Sequence, residues 1–290
     1  MSAGEPGSVV RRMLLGSQLR RLREARGITR EAAGYSIRAS ESKISRMELG
    51  RVSFKTRDVE DLLTLYGITD EAERQSLLSL AREANVAGWW HSYSDVLPNW
   101  FPTYVGLEAP PPDPRLRGSV RARPAADRGV RPRGGPARHE GASADDVERR
   151  VALRLERQKY LLTDSGPEFH IVLDEAALRR PYGGREVMRG QLQHLIDISE
   201  RPNVRLQVMP FSFGGHSGES GAFTILSFPE SDLSDVVYLE QLTSALYLDK
   251  REDVAQYEQA LKELQQDSPG PDESRDLLRG CSNSRDPQVG

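Results

Sequence analysis

Between Leu15 and Tyr66 the apolar residues fall in short, regularly spaced groups separated by helix stops, and this limits what the segment can become. Leu15, Leu19 and Leu22 lie four and three residues apart, which is one stripe of a helix whose other faces carry Arg20, Arg21, Arg23 and Arg26. Gly27 ends that helix in the position glycine favours. Thr29 is predicted to cap a second, short helix through Ala32, Ala33 and Ile37, without a full capping box because Ala32 stands where Glu or Gln would complete it. Arg38-Ala39 makes a tight turn, and Ser40 caps a third helix with Ile44 and Met47 on its inner face. Glu41, Ser42, Lys43 and Arg46 then point elsewhere, toward solvent or a partner. Gly50 stops this helix, Val59, Leu62, Leu63 and Tyr66 mark a fourth, and Leu77, Leu80 and Ala81 a fifth. A unit of about five short helices follows.

Two short helices joined by a tight turn, the second exposing polar side chains near its start, form an arrangement suited to the DNA major groove. Leu19-Arg20-Arg21-Leu22-Arg23 with Gly27-Ile28-Thr29-Arg30-Glu31 resembles the opening of the Cro/repressor-type (xenobiotic-response-element) helix-turn-helix family. The run Ser40-Glu41-Ser42-Lys43-Ile44-Ser45-Arg46-Met47-Glu48-Leu49-Gly50-Arg51 resembles that family's recognition helix and exit. The resemblance implies double-stranded DNA as partner, with Glu41, Ser42, Lys43 and Arg46 on the base-reading face and Ser40, at the start of that helix, also at the DNA. Thr29, Arg30, Ser45 and Arg51 match positions that touch phosphates. Arg30 departs from the family, which often has Gln there. Glu41 has two readings, acceptor from a cytosine amino group or a favourable charge at a helix start. Glu48 is expected on the inner side, bonded to a neighbouring Arg or to the exit turn.

The overall charge of -3 conceals an asymmetry that agrees with this reading. From Arg11 to Arg57 there are 13 Arg and Lys against 4 Asp and Glu. A basic block on an acidic body points to a polyanion partner for that block alone. Mean hydropathy is -0.57, and no apolar run approaches the length of a membrane span. The first ten residues lack the apolar core of a signal peptide. Cys281 is the only cysteine, so neither an internal disulfide nor a cysteine zinc site is expected.

All three tryptophans lie between Trp89 and Trp100, in Gly88-Trp89-Trp90-His91 and Pro98-Asn99-Trp100-Phe101, followed by Tyr104-Val105-Gly106-Leu107-Glu108. They suit either a ligand or partner patch, or packing between the helical unit and the next domain. The run resembles the start of a C-terminal domain of unknown function that follows the repressor-type module in actinobacterial regulators. That resemblance resumes at Gly141-Ala142-Ser143-Ala144-Asp145-Asp146 and extends through Asp174-Glu175-Ala176-Ala177-Leu178, Val204 to Pro210 and Gly221-Ala222-Phe223-Thr224. It implies an antitoxin-like role, with a small cognate protein encoded nearby.

One segment stands apart. Pro111 to Arg138 holds 8 Arg, 6 Pro and 4 Gly, with no aromatic residue. It reads as an Arg/Pro/Gly-rich linker, or as a shifted reading frame in a GC-rich gene. With suitable synonymous codons, a one-base shift turns Leu116 to Pro124 into YEVQFVPGL, and continuation to Arg138 gives LQTEEYARAVVRLG. His139 then re-enters the original frame. On this reading residues 111–138 are disordered, and the C-terminal domain lacks a strand and a helix.

The remainder reads as α+β. Helices are predicted from Val147 to Leu162, Val187 to Ile198 and Tyr257 to Leu264, and strands at Phe169–Leu173, Val204–Val208, Phe223–Phe228 and Val236–Leu239. The expected fold is therefore α+β overall, an N-terminal all-α helix-turn-helix domain of about five helices and a C-terminal α+β domain. Expected boundaries are a disordered 1–10, the helix-turn-helix unit at 11–86, a regulatory or interaction domain at 87–268 and a largely disordered tail at 269–290, with at most a turn of helix through Leu277-Leu278. No catalytic motif, cofactor loop or metal-ligand spacing appears, so no enzyme, cofactor or metal is expected. His216, in Gly214-Gly215-His216-Ser217-Gly218, is a ligand candidate or simply part of a loop between strands. A cytoplasmic homodimeric DNA-binding regulator is the expectation.

Overall fold

The computed structural model describes residues 8–108, 119–121, 143–161, 167–180, 182–228 and 233–283. They fall into two units. The first takes the residues up to Ser94 and then Phe101–Glu108, with Leu233; the second takes the rest.

The first unit is all helical: α1 (Ser8–Ala25), α2 (Arg30–Ser36), α3 (Glu41–Glu48), α4 (Thr56–Leu65), α5 (Glu71–Ala84) and α6 (Phe101–Glu108), with a 3-10 turn at Trp89–Tyr93. The predicted caps form: the Thr29 hydroxyl accepts from the Ala32 N–H at 3.1 Å, and the Ser40 hydroxyl from the Lys43 N–H at 3.2 Å. Leu15, Leu19, Ile37, Ile44, Met47, Val59, Leu62, Leu63 and Tyr66 share one core with Leu77, Leu78 and Ala81. Phe54 is buried in it, and its backbone N–H donates to Asn85 Oδ1 at 3.0 Å, fixing the α3–α4 loop to the end of α5.

Two expectations change here. Residues 1–10 were expected to be disordered, but α1 starts at Ser8 and buries Val9 and Val10. The cause is tertiary: α6 packs on α1, and at Gly106 it approaches Val9 so closely that a Cβ there would stand 2.2 Å from Val9 Cγ2. For the same reason the boundary expected at residue 86 shifts. Trp90 is fully buried, Trp89 lies edge-on to it at 6.0 Å, and Gly106 sits against the Trp90 ring. Trp89, Trp90 and Phe101–Glu108 thus belong to the first unit, whereas Asp95–Trp100 belong to the second.

The second unit is built on a six-stranded sheet, in the order β3-β2-β1-β4-β5-β6. Its strands are β1 (Ser119–Arg121), β2 (Glu168–Asp174), β3 (Val204–Met209), β4 (Phe223–Ser227), β5 (Val236–Glu240) and β6 (Ala245–Leu248). β1, β2 and β3 run parallel, and β4, β5 and β6 continue antiparallel. The helices are α7 (Ala144–Leu161), α8 (Glu175–Arg179), α9 (Arg185–Ser199), α10 (Arg251–Asp267) and α11 (Pro271–Asn283). α10 covers Ile225 and Val237 with Val254 and Leu261, while α9 and α11 pack on each other and on β3. The whole is α+β, as the pattern predicts.

Two further corrections belong here. The tail was expected to be largely disordered from 269, but α11 is a full helix with Ser274 and Leu278 completely buried. The Ser274 hydroxyl accepts from the Val208 N–H at 3.0 Å and donates to the Pro269 carbonyl at 3.1 Å, so α11 satisfies an outward main-chain group of the edge strand β3. The segment 111–138 was expected to be disordered and to deprive the sheet of a strand. Ser119–Arg121 is nevertheless a strand, with Val120 opposite Phe169 on one side and Leu226 on the other. A gap between β2 and β4 would leave main-chain groups unpaired on both, and ladder hydrogen bonds accept almost any side chain. The other residues of 111–138 lie outside the described residues.

Candidate nucleic-acid interface

α2 and α3 are held together by a glycine. A Cβ on Gly34 would stand 2.7 Å from the Ala39 carbonyl oxygen, so only glycine lets α2 meet the start of α3 this closely. Arg38, in the turn between them, takes a left-handed φ of 55°. Ile44, Met47 and Glu48 are buried on the inner side of α3, while Glu41, Ser42 and Arg46 are exposed and Lys43 and Ser45 half-buried. Thr29 and Ser40 at the helix starts and Arg51 just past α3 are exposed as well, and Arg30 is half-buried. None of the predicted residues is buried in the α2–α3 core.

The electrostatics beneath this surface centre on Glu48, whose side chain is 3% exposed. Its carboxylate accepts from Arg23 Nε at 2.5 Å, from Arg23 Nη2 at 3.1 Å and from Arg30 Nε at 3.0 Å. Arg23 also donates to the Ile28 carbonyl at 2.7 Å, across the turn between α1 and α2. Its pKa is raised by the hydrogen bond it donates to Glu48, against the opposing effect of burial. Glu48 therefore neutralises the buried Arg23 and fixes one edge of Arg30, whose predicted partner is phosphate. Burial pushes the Tyr66 hydroxyl pKa up, and the Glu48 carboxylate pushes it the same way, so this phenol stays neutral.

Two residues on α2 and α4 escape the sequence reading. Tyr35 on α2 is 87% exposed, opposite the buried Ala33, Gly34 and Ile37, and a helical wheel of α2 would have singled it out. Asp58, at the start of α4, accepts from Lys43 Nζ at 2.6 Å. No sequence spacing points to that pair, because the partners sit on different helices.

In the second unit, His216 is already engaged. Its Nδ1 accepts from the Gly218 N–H at 3.1 Å and its Nε2 stands 3.3 Å from Asp174 Oδ2, so the ring ties the β3–β4 loop to the end of β2. Glu175 accepts from the Phe211 N–H at 2.9 Å, which is the main reason its carboxyl lies below the usual range, and pairs with Arg179. Phe211 and Phe213 remain exposed beside this cluster. Among the described residues no three His, Cys, Asp or Glu side chains converge to hold a metal ion. Among the same residues no helix is long and apolar enough to cross a membrane.

Residues 14–77 match a helix-turn-helix domain family. The first unit is thus a helix-turn-helix domain, and the chain is in coarse terms a DNA-binding regulator. Residues 135–280, half of the chain, match the domain of unknown function DUF5753, and the chain belongs to that family. No curated protein and no solved structure matches it.

Proposed function

We propose that this chain is a sequence-specific transcriptional regulator of the Cro/repressor type, which acts in the cytoplasm as a homodimer and does no catalysis. The observation that carries the reading is the two-sided α3, with Ile44, Met47 and Glu48 buried and Glu41, Ser42 and Arg46 presented outward from a Ser40-capped start. Two such helices, about one helical turn of DNA apart, would enter adjacent major grooves. Glu41, Ser42, Lys43 and Arg46 face the bases, Ser40 lies at the DNA at the start of the same helix, and Thr29, Arg30, Ser45 and Arg51 face the phosphates. Base contacts set selectivity, while phosphate contacts set affinity for any sequence. The DUF5753 unit binds a small partner protein or ligand, and the exposed Phe211 and Phe213 supply apolar surface for it. The antitoxin-like alternative makes that partner the main role and DNA binding a means of autoregulation.

Selection of binding sites from random duplexes tests the assignment. Arg46→Ala should relax the selected sequence, and Arg51→Ala should weaken binding to all sequences about equally. An unchanged selected profile for Arg46→Ala refutes the base-reading role.

A further inference from the structure

Lys43 holds the third position of α3, where a side chain reaches base edges, yet its ammonium does not extend outward. It is folded onto Asp58 of α4, 2.6 Å from Oδ2, with the lysine side chain 32% exposed and the aspartate 13%. Asp58 sits in the first turn of α4, whose cap residue Lys55 makes no side-chain cap hydrogen bond. A carboxylate there is favoured by the helix start as well as by Lys43, so it is held in place. The basic surface therefore carries a lysine restrained by an acid from a different helix.

We infer that Asp58 is a specificity-determining residue that holds Lys43 back from phosphates on arbitrary DNA and releases it where a base edge offers a better acceptor. The inference rests on the DNA-binding reading and deepens it. A flexible lysine next to a duplex otherwise finds a phosphate in any sequence and adds affinity without information. Holding it lowers the affinity for random DNA but leaves the directional contact to a base available, which widens the ratio between the two.

The test is binding of the full chain to a random-sequence duplex across a salt series, for wild type, Asp58→Asn, Asp61→Asn, Lys43→Gln and Lys43→Gln/Asp58→Asn. A freed lysine adds one phosphate contact, steepening log K against log salt by about 0.9, which is about eightfold in affinity over each tenfold dilution of salt. Asp58→Asn should show that gain. Asp61→Asn removes the same charge from an exposed acid on the same helix, 3.9 Å from Arg57, and should gain clearly less. In the Lys43→Gln background Asp58→Asn should add no more than Asp61→Asn does. Equal gains for Asp58→Asn and Asp61→Asn, or a full gain that persists without Lys43, overturn the inference and leave DNA binding intact. A wild-type chain that holds no duplex at any salt overturns the DNA-binding reading, and the inference with it. Melting curves show whether each variant folds, and Asp58→Ser, which keeps a favourable helix-start residue, repeats the comparison if the asparagine variant does not.

Discussion

Replacing Glu48 by Gln keeps the shape of the side chain and removes its charge from beneath two guanidinium groups. The carboxylate is 3% exposed and accepts three hydrogen bonds, two from Arg23, itself 7% exposed, and one from Arg30. Breaking a buried pair by removing one partner costs about 3–5 kcal/mol, because the other charge is left uncompensated. Arg23 keeps its bond to the Ile28 carbonyl, and Arg30 can turn to water, so the loss should fall near the lower end, about 3 kcal/mol. For a unit of this size that is a fall in melting temperature of about 12–24 °C. Thermal and urea unfolding, followed by tryptophan fluorescence in a Trp100→Phe background, read this unit through Trp89 and Trp90. The double variant Arg23→Met/Glu48→Leu should lose clearly less than the two single changes together, since it leaves no buried charge behind. A Glu48→Gln variant within about 1 kcal/mol of wild type would refute the reasoning, because the buried carboxylate would then not be balancing Arg23.

Two further outcomes follow from geometry and from the sequence. Gly16→Ala places a Cβ 2.4 Å from the Met47 carbonyl oxygen and 2.6 Å from that of Glu48, where α1 crosses the end of α3. The obstacle is main chain and cannot swing aside, so a loss of about 2–3 kcal/mol is expected in urea unfolding, at the upper end of overpacking costs. On the frame-shift reading, the codons of Leu116 to Arg138 spell YEVQFVPGL and its continuation when read one base forward. Sequencing the gene decides this, and a chain carrying the restored segment should melt at a higher temperature than the present one.

The legible parts of the fold are those in which a local pattern and a tertiary demand coincide. Leu15, Leu19 and Leu22 have helical spacing, and that stripe is the one the core needs; Thr29 and Ser40 are good caps, and both cap. The outward side of α3 was legible for the same reason, as the complement of Ile44 and Met47. What escaped depends on partners distant in sequence. Val9 and Val10 look like part of a loose start until α6, some ninety residues on, packs against α1. α11 has only Leu277 and Leu278 as large apolar residues, and its place is secured by Ser274 meeting the edge of β3. β6 shows no alternation, because Ala245, Leu246, Tyr247 and Leu248 are all apolar. The strand at Ser119–Arg121 is set by main-chain pairing with both neighbours, on which side-chain pattern has no bearing.

Charge shows the same limit, because a count treats every cation as available to DNA. Several in the basic block already hold carboxylates: Arg23 holds Glu48, Arg20 holds Glu24 at 2.9 Å and Lys43 holds Asp58. These pairs differ in kind. The Arg20 pair is exposed and exchanges freely with water, so a nearby phosphate can take its arginine at little cost. Arg23 is buried, and no polyanion reaches it without unfolding the turn between α1 and α2. Lys43 lies between these limits, half-buried and held by an acid that stands at a helix start. The excess of positive charge therefore sets how strongly the domain attracts DNA from a distance. On the proposed reading, which cations remain to discriminate at contact depends on where Glu48 and Asp58 sit, and a domain with the same net charge and those two acids elsewhere would bind DNA with a different selectivity.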